Sequence, residues 1–320
     1  MSVAPTDHFV RPPALDAGAR VALVSPAGPS SAERIEAAIA RCVDFGFEPV
    51  LGAHARERHG FLAGTDDQRL DDLDRALRDP GVSAVWAIRG GYGTMRMLDR
   101  FDPARFRDSP KAFIGFSDNT AIHLLFARHG FVSFHGPHAG GAFPEFTVDA
   151  FQRILCHPGP AGILPGDDGG DTPVRLRGGV AEGRLIGGNL AMLAAACGTS
   201  FQLDARGAIV VIEDVNEPAY RIDRALTQLR MAGCFEGAAG FAFGRFVRMD
   251  GEEMAATGTA TGGDVPLGEV LAERVHDLNV PAVAGLPFGH TDRQWTLPLG
   301  VRARLDADRC TLEILEPAVT

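Results

Sequence analysis

Short apolar runs alternate with amphipathic stretches along the first 130 residues of the chain. The runs are typical of buried strands, and the stretches repeat apolar residues at the helical spacings of three and four. This pattern predicts strands at 20–25, 47–51, 84–88 and 112–116, and helices at 31–45, 66–78, around 97–98 and at 118–129. Such alternation predicts a Rossmann-like α/β fold, with a mostly parallel sheet flanked by helices.

The pattern changes after about residue 137. Residues 137–176 are rich in Gly, Pro and Asp, with one predicted helix near 148–155. Beyond them, strands mix with predicted helices at 188–197 and 222–232, and strand-like segments follow at 296–299, 301–305 and 311–315. We interpret the chain as an N-terminal α/β domain (1–140), an inter-domain connection (141–176) and a smaller β-rich C-terminal domain (177–320).

Composition narrows the class of protein. The chain has 320 residues, enough for two domains, and a formal net charge of -10 without a basic cluster, which argues against a nucleic-acid partner. The five Cys residues are scattered without a CxxC motif, so reduced, packed thiols are expected. No apolar stretch is long enough to span a bilayer, and the first residues lack the apolar core of a secretory signal. We expect a cytoplasmic protein without a membrane partner.

The segment KAFIGFSDNTAIHLLFARHG (111–130) places Ser117 between a predicted strand and a predicted helix. A tight turn of this kind exposes the hydroxyl and points the first amides of the helix at whatever the hydroxyl attacks, which suits a nucleophile. The usual elbow has glycine two positions after the serine, where this chain has Asn119. The alternative role for Ser117 is an N-cap of the helix.

A nucleophilic serine needs a base and an acid that orients the base. Glu213 follows the apolar run 208–212, where a carboxylate would be held stiffly, and Glu217 is a lesser candidate acid. His290 lies in a Gly/Pro-rich loop before a predicted strand. Chemistry alone does not separate it from His135, whose neighbours also form a rigid turn.

The segment RGGYG (89–93) follows a predicted strand, and its spacing matches neither common phosphate-binding glycine motif. Glycine allows a backbone amide to approach a substrate carbonyl, so we expect an oxyanion hole formed by the amides of Gly91 and Asp118. A plain left-handed turn is the alternative. Arg89 is a candidate for binding a substrate carboxylate, or else a structural tether.

The segment HARERHG contains His54, Glu57 and His59, residue types that can bind the zinc ion of a metallocarboxypeptidase. Zinc ligands need rigid positions and an oriented outer shell, whereas this segment is a polar loop with charged neighbours. We therefore expect neither a metal nor an organic cofactor.

Five blocks carry a resemblance that covers most of the chain, roughly residues 15–317. They are RGGYG, GFSDNT (115–120), GRLIGGNLAML (183–193), IEDVNEPAYRIDRALTQL (212–229) and GHTDRQWTLPLG (289–300). Together they resemble the LD-carboxypeptidase family, serine peptidases that trim cell-wall muropeptides. The resemblance implies that Ser117 is the nucleophile, Glu213 the acid and His290 the base, the last two from the second domain. It also implies a homodimer that acts in peptidoglycan recycling by cleaving the bond between an L-diamino acid and a terminal D-Ala.

Two alternatives remain open. Relatives of the microcin C immunity peptidase share this fold and hydrolyse peptidyl or aminoacyl nucleotides, but residues 160–180 contain no Trp, Tyr or Phe to stack on a base. A non-enzymatic, two-lobed peptide-binding protein would explain the architecture. It would not explain why the candidate nucleophile, acid and base all fall at element ends.

Overall fold

The computed structural model describes residues 9–170, 172–248, 254 and 265–320. Residues 1–8, which belong to the segment predicted not to be a secretory signal, lie outside the described residues. The chain folds into two compact units. The first comprises the chain up to Gly159 together with Thr296–Gly300 and Pro317–Thr320, and the second comprises Pro160–Trp295 and Val301–Glu316.

The strands, in chain order, are β1 (Arg20–Val24), β2 (Glu48–Leu51), β3 (Ala84–Ala87), β4 (Ala112–Gly115), β5 (Ser133–His135), β6 (Pro160–Ile163), β7 (Val174–Arg177), β8 (Val180–Asn189), β9 (Ala208–Val215), β10 (Gly240–Val247), β11 (Ala282–Ala284), β12 (Leu297–Leu299), β13 (Arg302–Asp306) and β14 (Thr311–Pro317). The α-helices are α1 (Ala32–Asp44), α2 (Asp66–Arg78), α3 (Thr120–Arg128), α4 (Glu145–Leu155), α5 (Leu190–Ala195), α6 (Ala219–Met231) and α7 (Leu267–Val275). Short 3₁₀ helices occupy Thr94–Arg100, Pro103–Phe106, Ser117–Asn119 and His276–Leu278.

The first unit contains a six-stranded sheet in the order β12-β5-β4-β3-β1-β2. Its five N-terminal strands are parallel, and β12 pairs antiparallel with β5. The central strands β3 and β4 are buried along their whole length, as expected for strands covered on both faces. The predicted α/β class with a mostly parallel sheet is confirmed.

The second unit contains an eight-stranded mixed sheet in the order β6-β14-β13-β8-β9-β10-β11-β7. Strands β8 to β11 run parallel at its centre. Antiparallel strands flank them, with β13 beside β8 and β7 beside β11. The β-rich second domain is therefore also confirmed.

Several local predictions differ from the structure. The predicted helix around 97–98 is a 3₁₀ helix, Thr94–Arg100, and Gly188 lies in β8 rather than in the helix that follows. The predicted connection, residues 141–176, is divided between the units, because α4 belongs to the first while β6 and β7 belong to the second. The strand at 296–299 completes the sheet of the first unit because it pairs with β5. Within the described ranges, none of the helices has the length and apolar character needed to cross a membrane.

Gly187 offers a test of how closely β8 and β9 pack. Its φ is +126°, and a Cβ there would lie closer to the Val211 carbonyl oxygen than a real Cβ can approach. Gly187→Ala should therefore lower the free energy of unfolding by about 2 to 6 kcal/mol, through backbone strain and overpacking. Urea denaturation checks this, with Gly198→Ala as the control. Gly198 also has a positive φ of +77°, but a Cβ there would have nothing within 4 Å. Equal losses in both variants would contradict the packing argument.

Candidate active site

Ser117 occupies the turn between β4 and α3, where the strand passes directly into a 3₁₀ turn, Ser117–Asn119. Its φ is +61°, in the left-handed region that side chains other than glycine rarely adopt. The N-cap of α3 is Asn119, and neither the 3₁₀ turn nor α3 has a side-chain cap hydrogen bond. Strained serines at strand-to-helix turns are typical of nucleophile elbows.

Gly90 and His138 lie beside Ser117, and neither was singled out from the sequence. A Cβ at Gly90 would lie 2.9 Å from the Cβ of Ser117, 3.0 Å from its Oγ and 3.2 Å from Cε1 of His138. Glycine at position 90 thus leaves room for the hydroxyl. His138 is buried and stacks on Phe116, with ring centroids 4.2 Å apart. The side-chain amide of Asn119, which stands where the usual elbow has glycine, lies 3.1 Å from Nε2 of His138.

The two amides expected to form an oxyanion hole, those of Gly91 and Asp118, lie in this same unit. In the described part of the chain, no residue accepts a hydrogen bond from either amide. The Asp118 carboxylate is buried, and Oδ2 accepts a hydrogen bond of 2.9 Å from the amide of Thr94. Burial raises the pKa of that carboxyl. Because neither the Gly91 amide nor the Asp118 amide has an acceptor among the described residues, both can donate to a ligand.

The buried side chain of Arg69 holds the RGGYG segment in place. Its Nη1 donates to the carbonyl oxygens of Pro26 at 2.6 Å and of Gly93 at 2.9 Å. Arg89, at the start of the segment, donates from Nη1 to the carbonyl of Pro29 at 2.9 Å. Arg69 was not singled out from the sequence, because nothing in the pattern of α2 distinguishes it from the exposed arginines of that helix.

Glu213 and His290 meet in the second unit. Oε2 of Glu213 lies 2.6 Å from Nδ1 of His290, and Glu213 is fully buried while the His290 side chain is 19% exposed. The carboxylate accepts a hydrogen bond from Nδ1–H, which leaves Nε2 as the nitrogen with the lone pair. The strand that carries Glu213 continues to Val215, so the acid lies within β9 rather than just beyond its end.

An irregularity in β10 brings the His290 loop to Glu213. The register of β10 against β9 shifts between Phe243 and Phe246, and there the Arg245 amide donates to the carbonyl of Phe288 at 3.0 Å. Gly289 follows with a φ of +110°, and a Cβ there would lie 2.8 Å from the Cβ of Glu213. Glycine at 289 is therefore required for His290 to reach the acid.

A buried ion-pair cluster anchors the far side of this loop. Asp167 binds Arg245 Nη2 at 2.7 Å and Arg293 Nε at 2.5 Å, and its own side chain is 1% exposed. Burial would raise the pKa of Asp167, but hydrogen bonds from Arg293, the Gly169 amide and Arg245 lower it below the ordinary value. The loop residues that follow His290 are thus held by charge-assisted hydrogen bonds.

Two carboxylates set the charge around His290. Burial acts to lower the pKa of the imidazole, but the charge and hydrogen bond of Glu213, together with the charge of Asp214, raise it above its ordinary value. Burial and the neighbouring charge of Glu213 raise the pKa of Asp214 to about 7. Oδ1 of Asp214 accepts from the Asn189 side chain, and Oδ2 accepts from the Ala191 amide.

The other candidate residues have different surroundings. His135 is fully buried within β5 of the first unit. The carboxylate of Glu217 lies 3.6 Å from Arg221, four residues further along the chain, and both side chains are partly exposed. In the described ranges, the residues spaced like metal ligands are His54, Asp71 and Asp72, without Glu57 or His59. Both aspartates already accept hydrogen bonds, from Arg75 and from the His54 amide.

Comparison with known proteins agrees with this architecture. Residues 21–136 match the LD-carboxypeptidase N-terminal domain, and residues 182–305 match the LD-carboxypeptidase C-terminal domain. A putative carboxypeptidase of Streptomyces coelicolor is 40% identical, with 98% of each chain covered. The murein tetrapeptide carboxypeptidase of Pseudomonas aeruginosa is 35% identical over 91% of this chain and 94% of its own. The two matched domains define a peptidase. The chain belongs to the LD-carboxypeptidase family, as its motifs predicted.

Solved structures show the same fold. The crystal structure of muramoyltetrapeptide carboxypeptidase from Oxalobacter formigenes matches with a TM-score of 0.77 at 30% identity, covering 92% of this chain and 97% of that one. The microcin C7 self-immunity protein in complex with glutamyl sulfamoyl guanosine matches with a TM-score of 0.86 at 22% identity, covering 97% and 100%. The second likeness concerns the fold alone.

Proposed function

We propose that the protein is a serine LD-carboxypeptidase that removes the terminal D-Ala from muropeptide tetrapeptides. The observation that carries the proposal is the strained Ser117 at a strand-to-helix turn, in a chain whose second unit holds a buried Glu213–His290 pair at 2.6 Å. The relatives named for murein tetrapeptides support the substrate. A cytoplasmic role in peptidoglycan recycling, carried out by a homodimer, belongs to the same proposal.

In this mechanism Ser117 Oγ attacks the carbonyl carbon of the L-diamino acid, and Nε2 of His290 takes the hydroxyl proton. The amides of Gly91 and Asp118 donate to the oxyanion of the tetrahedral intermediate. His290 then returns the proton to the departing D-Ala amine. In the second step His290 takes a proton from the water that attacks the acyl-enzyme, and it returns that proton to the Ser117 oxygen as the acid product leaves. Glu213 holds the Nδ1–H tautomer throughout and stabilises the imidazolium.

Incubation of the purified protein with a tetrapeptide muropeptide tests the proposal. We expect release of D-Ala and a tripeptide product, and no release from the matched tetrapeptide ending in L-Ala. A peptidyl nucleotide is the competing substrate and is assayed in parallel. Hydrolysis of the nucleotide without release of D-Ala would replace the wall-peptide proposal with the immunity-type activity.

The proposed base predicts the acid side of the pH profile. His290 acts as a base only when its imidazole is neutral, and its raised pKa keeps the ring protonated to higher pH than usual. Activity should therefore fall with decreasing pH through a midpoint above the ordinary histidine value of 6.5. Asp214→Asn removes a charge that raises this pKa, so the midpoint should move to lower pH. The pH dependence of kcat/KM measures both midpoints, and a shift to higher pH would contradict the assignment.

A further inference from the structure

Three nitrogen atoms meet at the carbonyl oxygen of Phe116, the residue directly before Ser117. The Asn119 backbone amide donates to this oxygen at 3.2 Å, and the Asn119 side-chain Nδ2 donates to it at 3.1 Å. Nε2 of His138 lies 3.1 Å from the same oxygen. Asn119 and His138 are both buried, so bulk water has little access to these contacts. The peptide group that joins Phe116 to Ser117 is therefore held from several directions.

The orientation of this peptide group sets the conformation of Ser117. The φ angle of Ser117, +61°, is the rotation about the bond that follows the peptide nitrogen. A left-handed φ costs free energy in residues other than glycine, and it persists only where the surroundings enforce it. The contacts at the Phe116 carbonyl enforce it, because the peptide group cannot rotate without losing them.

Hydrogen bonds on both sides of His138 fix its position in the chain. Before it, the Trp86 indole donates to the carbonyl of Pro137 at 2.8 Å. After it, the Ala139 amide donates to the carbonyl of Ala87 at 3.0 Å. Trp86 and Ala87 belong to β3, which pairs with β4, the strand that leads to the nucleophile. His138 is thus placed by the same sheet that carries Ser117.

The imidazole ring of His138 has little room to turn. It stacks on the Phe116 ring with 4.2 Å between centroids and 28° between the ring planes. Its Cε1 would lie 3.2 Å from a Cβ at Gly90, and the same Cβ would lie 3.0 Å from Oγ of Ser117. The ring therefore lies beside the nucleophile, across the space that glycine leaves open.

The contact with Phe116 defines which nitrogen of His138 carries the proton. A carbonyl oxygen can only accept, so this contact is a hydrogen bond only when Nε2 is protonated. In the other tautomer Nε2 would accept from Asn119 Nδ2, which is also 3.1 Å away. Two acceptors, Nε2 and the Phe116 oxygen, would then face each other. The geometry therefore favours the Nε2–H tautomer.

We propose that His138 is a positioning residue, which holds Ser117 in its reactive conformation by donating from Nε2 to the Phe116 carbonyl. This proposal rests on the proposed function, in which Ser117 is the nucleophile. His138 takes no part in the proton transfers assigned to His290. It acts only through the position of the Ser117 hydroxyl, and misplacing a reacting group by about 1 Å can cost about 100-fold in rate.

Three variants test the proposal. His138→Met fills much of the same volume but cannot donate, so we expect kcat to fall about 10- to 100-fold with KM unchanged. His138→Gln places an amide N–H near the position of Nε2 and should restore most of the lost rate. His157→Met is the matched control and should keep full activity, because the exposed His157 of the same unit also contacts a backbone carbonyl, that of Gln152, at 2.9 Å. Thermal unfolding of each variant separates a loss of rate from a loss of folded protein.

Labelling with a fluorophosphonate provides a second measurement, which does not depend on the peptide substrate. The serine oxygen displaces fluoride from the phosphorus atom, so the labelling rate measures the reactivity of the Ser117 hydroxyl. We expect His138→Met to be labelled about 10- to 100-fold more slowly than the wild type, and His138→Gln at nearly the wild-type rate. Ser117→Ala should not be labelled, which identifies the residue that reacts.

The outcomes separate this proposal from the proposed function. A kcat or a labelling rate in His138→Met equal to that of the wild type overturns the role of His138 and leaves the proposed activity standing. Equal losses in His138→Gln and His138→Met also overturn it, since the donor would then not matter. If the wild type releases no D-Ala but is labelled faster than His138→Met, the wall-peptide substrate is wrong and the role of His138 is supported. A wild type that neither releases D-Ala nor is labelled at Ser117 overturns both.

Discussion

Ser117→Ala is expected to lower kcat by about 10⁴- to 10⁶-fold, the range seen when a serine nucleophile is removed. The hydroxyl oxygen is the atom that forms the acyl-enzyme, so no nearby group can take its place. The fold should be unchanged, because alanine keeps the Cβ that already occupies the left-handed conformation at φ +61°. Release of D-Ala from a tetrapeptide muropeptide measures the effect, and thermal unfolding checks the fold.

Ser109→Ala provides the matched control, since Ser109 is an exposed serine of the same unit. It should retain full activity. If Ser117→Ala keeps more than about a tenth of the wild-type kcat, far above the remnant left by the loss of a nucleophile, the serine mechanism is wrong. A metal-dependent mechanism would then have to be tested with a chelator.

Glu213→Gln should lower kcat by about 10³- to 10⁴-fold with little change in KM, as expected when the acid that orients a catalytic histidine loses its charge. The glutamine amide keeps the shape of the side chain. It can donate to Nδ1, however, which favours the wrong tautomer, and it no longer stabilises the imidazolium. Full burial of Glu213 prevents water from substituting for the lost charge.

Glu217→Gln is the control for the acid. Its carboxylate is partly exposed and lies 3.6 Å from Arg221, an arrangement whose loss costs about 0.2 to 1 kcal/mol. Steady-state kinetics of the two variants should differ by orders of magnitude. A large loss in Glu217→Gln together with a small one in Glu213→Gln would reverse the assignment of the acid.

Local patterns predicted much of the first unit. The structure gives α2 the predicted bounds, Asp66–Arg78, and a capping box formed by Thr65 and Gln68 fixes its start. The turn at Ser117 was also predicted, since a buried strand and an amphipathic helix meet there. In the second unit, Glu213 and His290 are in contact across 77 positions of sequence. That pairing was inferred from family motifs, because no local rule joins two residues so far apart.

Other features depend on tertiary contacts that leave no local pattern. Gly90 and His138 meet Ser117 only because neighbouring parallel strands end at the same edge. The segment Thr94–Arg100 was predicted as a helix and is a 3₁₀ helix, a distinction that so short an apolar pattern does not specify.

The pairing of β12 with β5 affects the order in which the chain can fold during synthesis. The first unit has most of its residues by Gly159, yet its sheet is completed by Leu297–Leu299. While the ribosome makes the intervening 160–295, β5 presents an unpaired edge of the kind that promotes association between chains. A fragment that ends at Gly159 would keep that edge permanently. Separate expression of the two units therefore requires Leu297–Leu299 to be grafted onto the first.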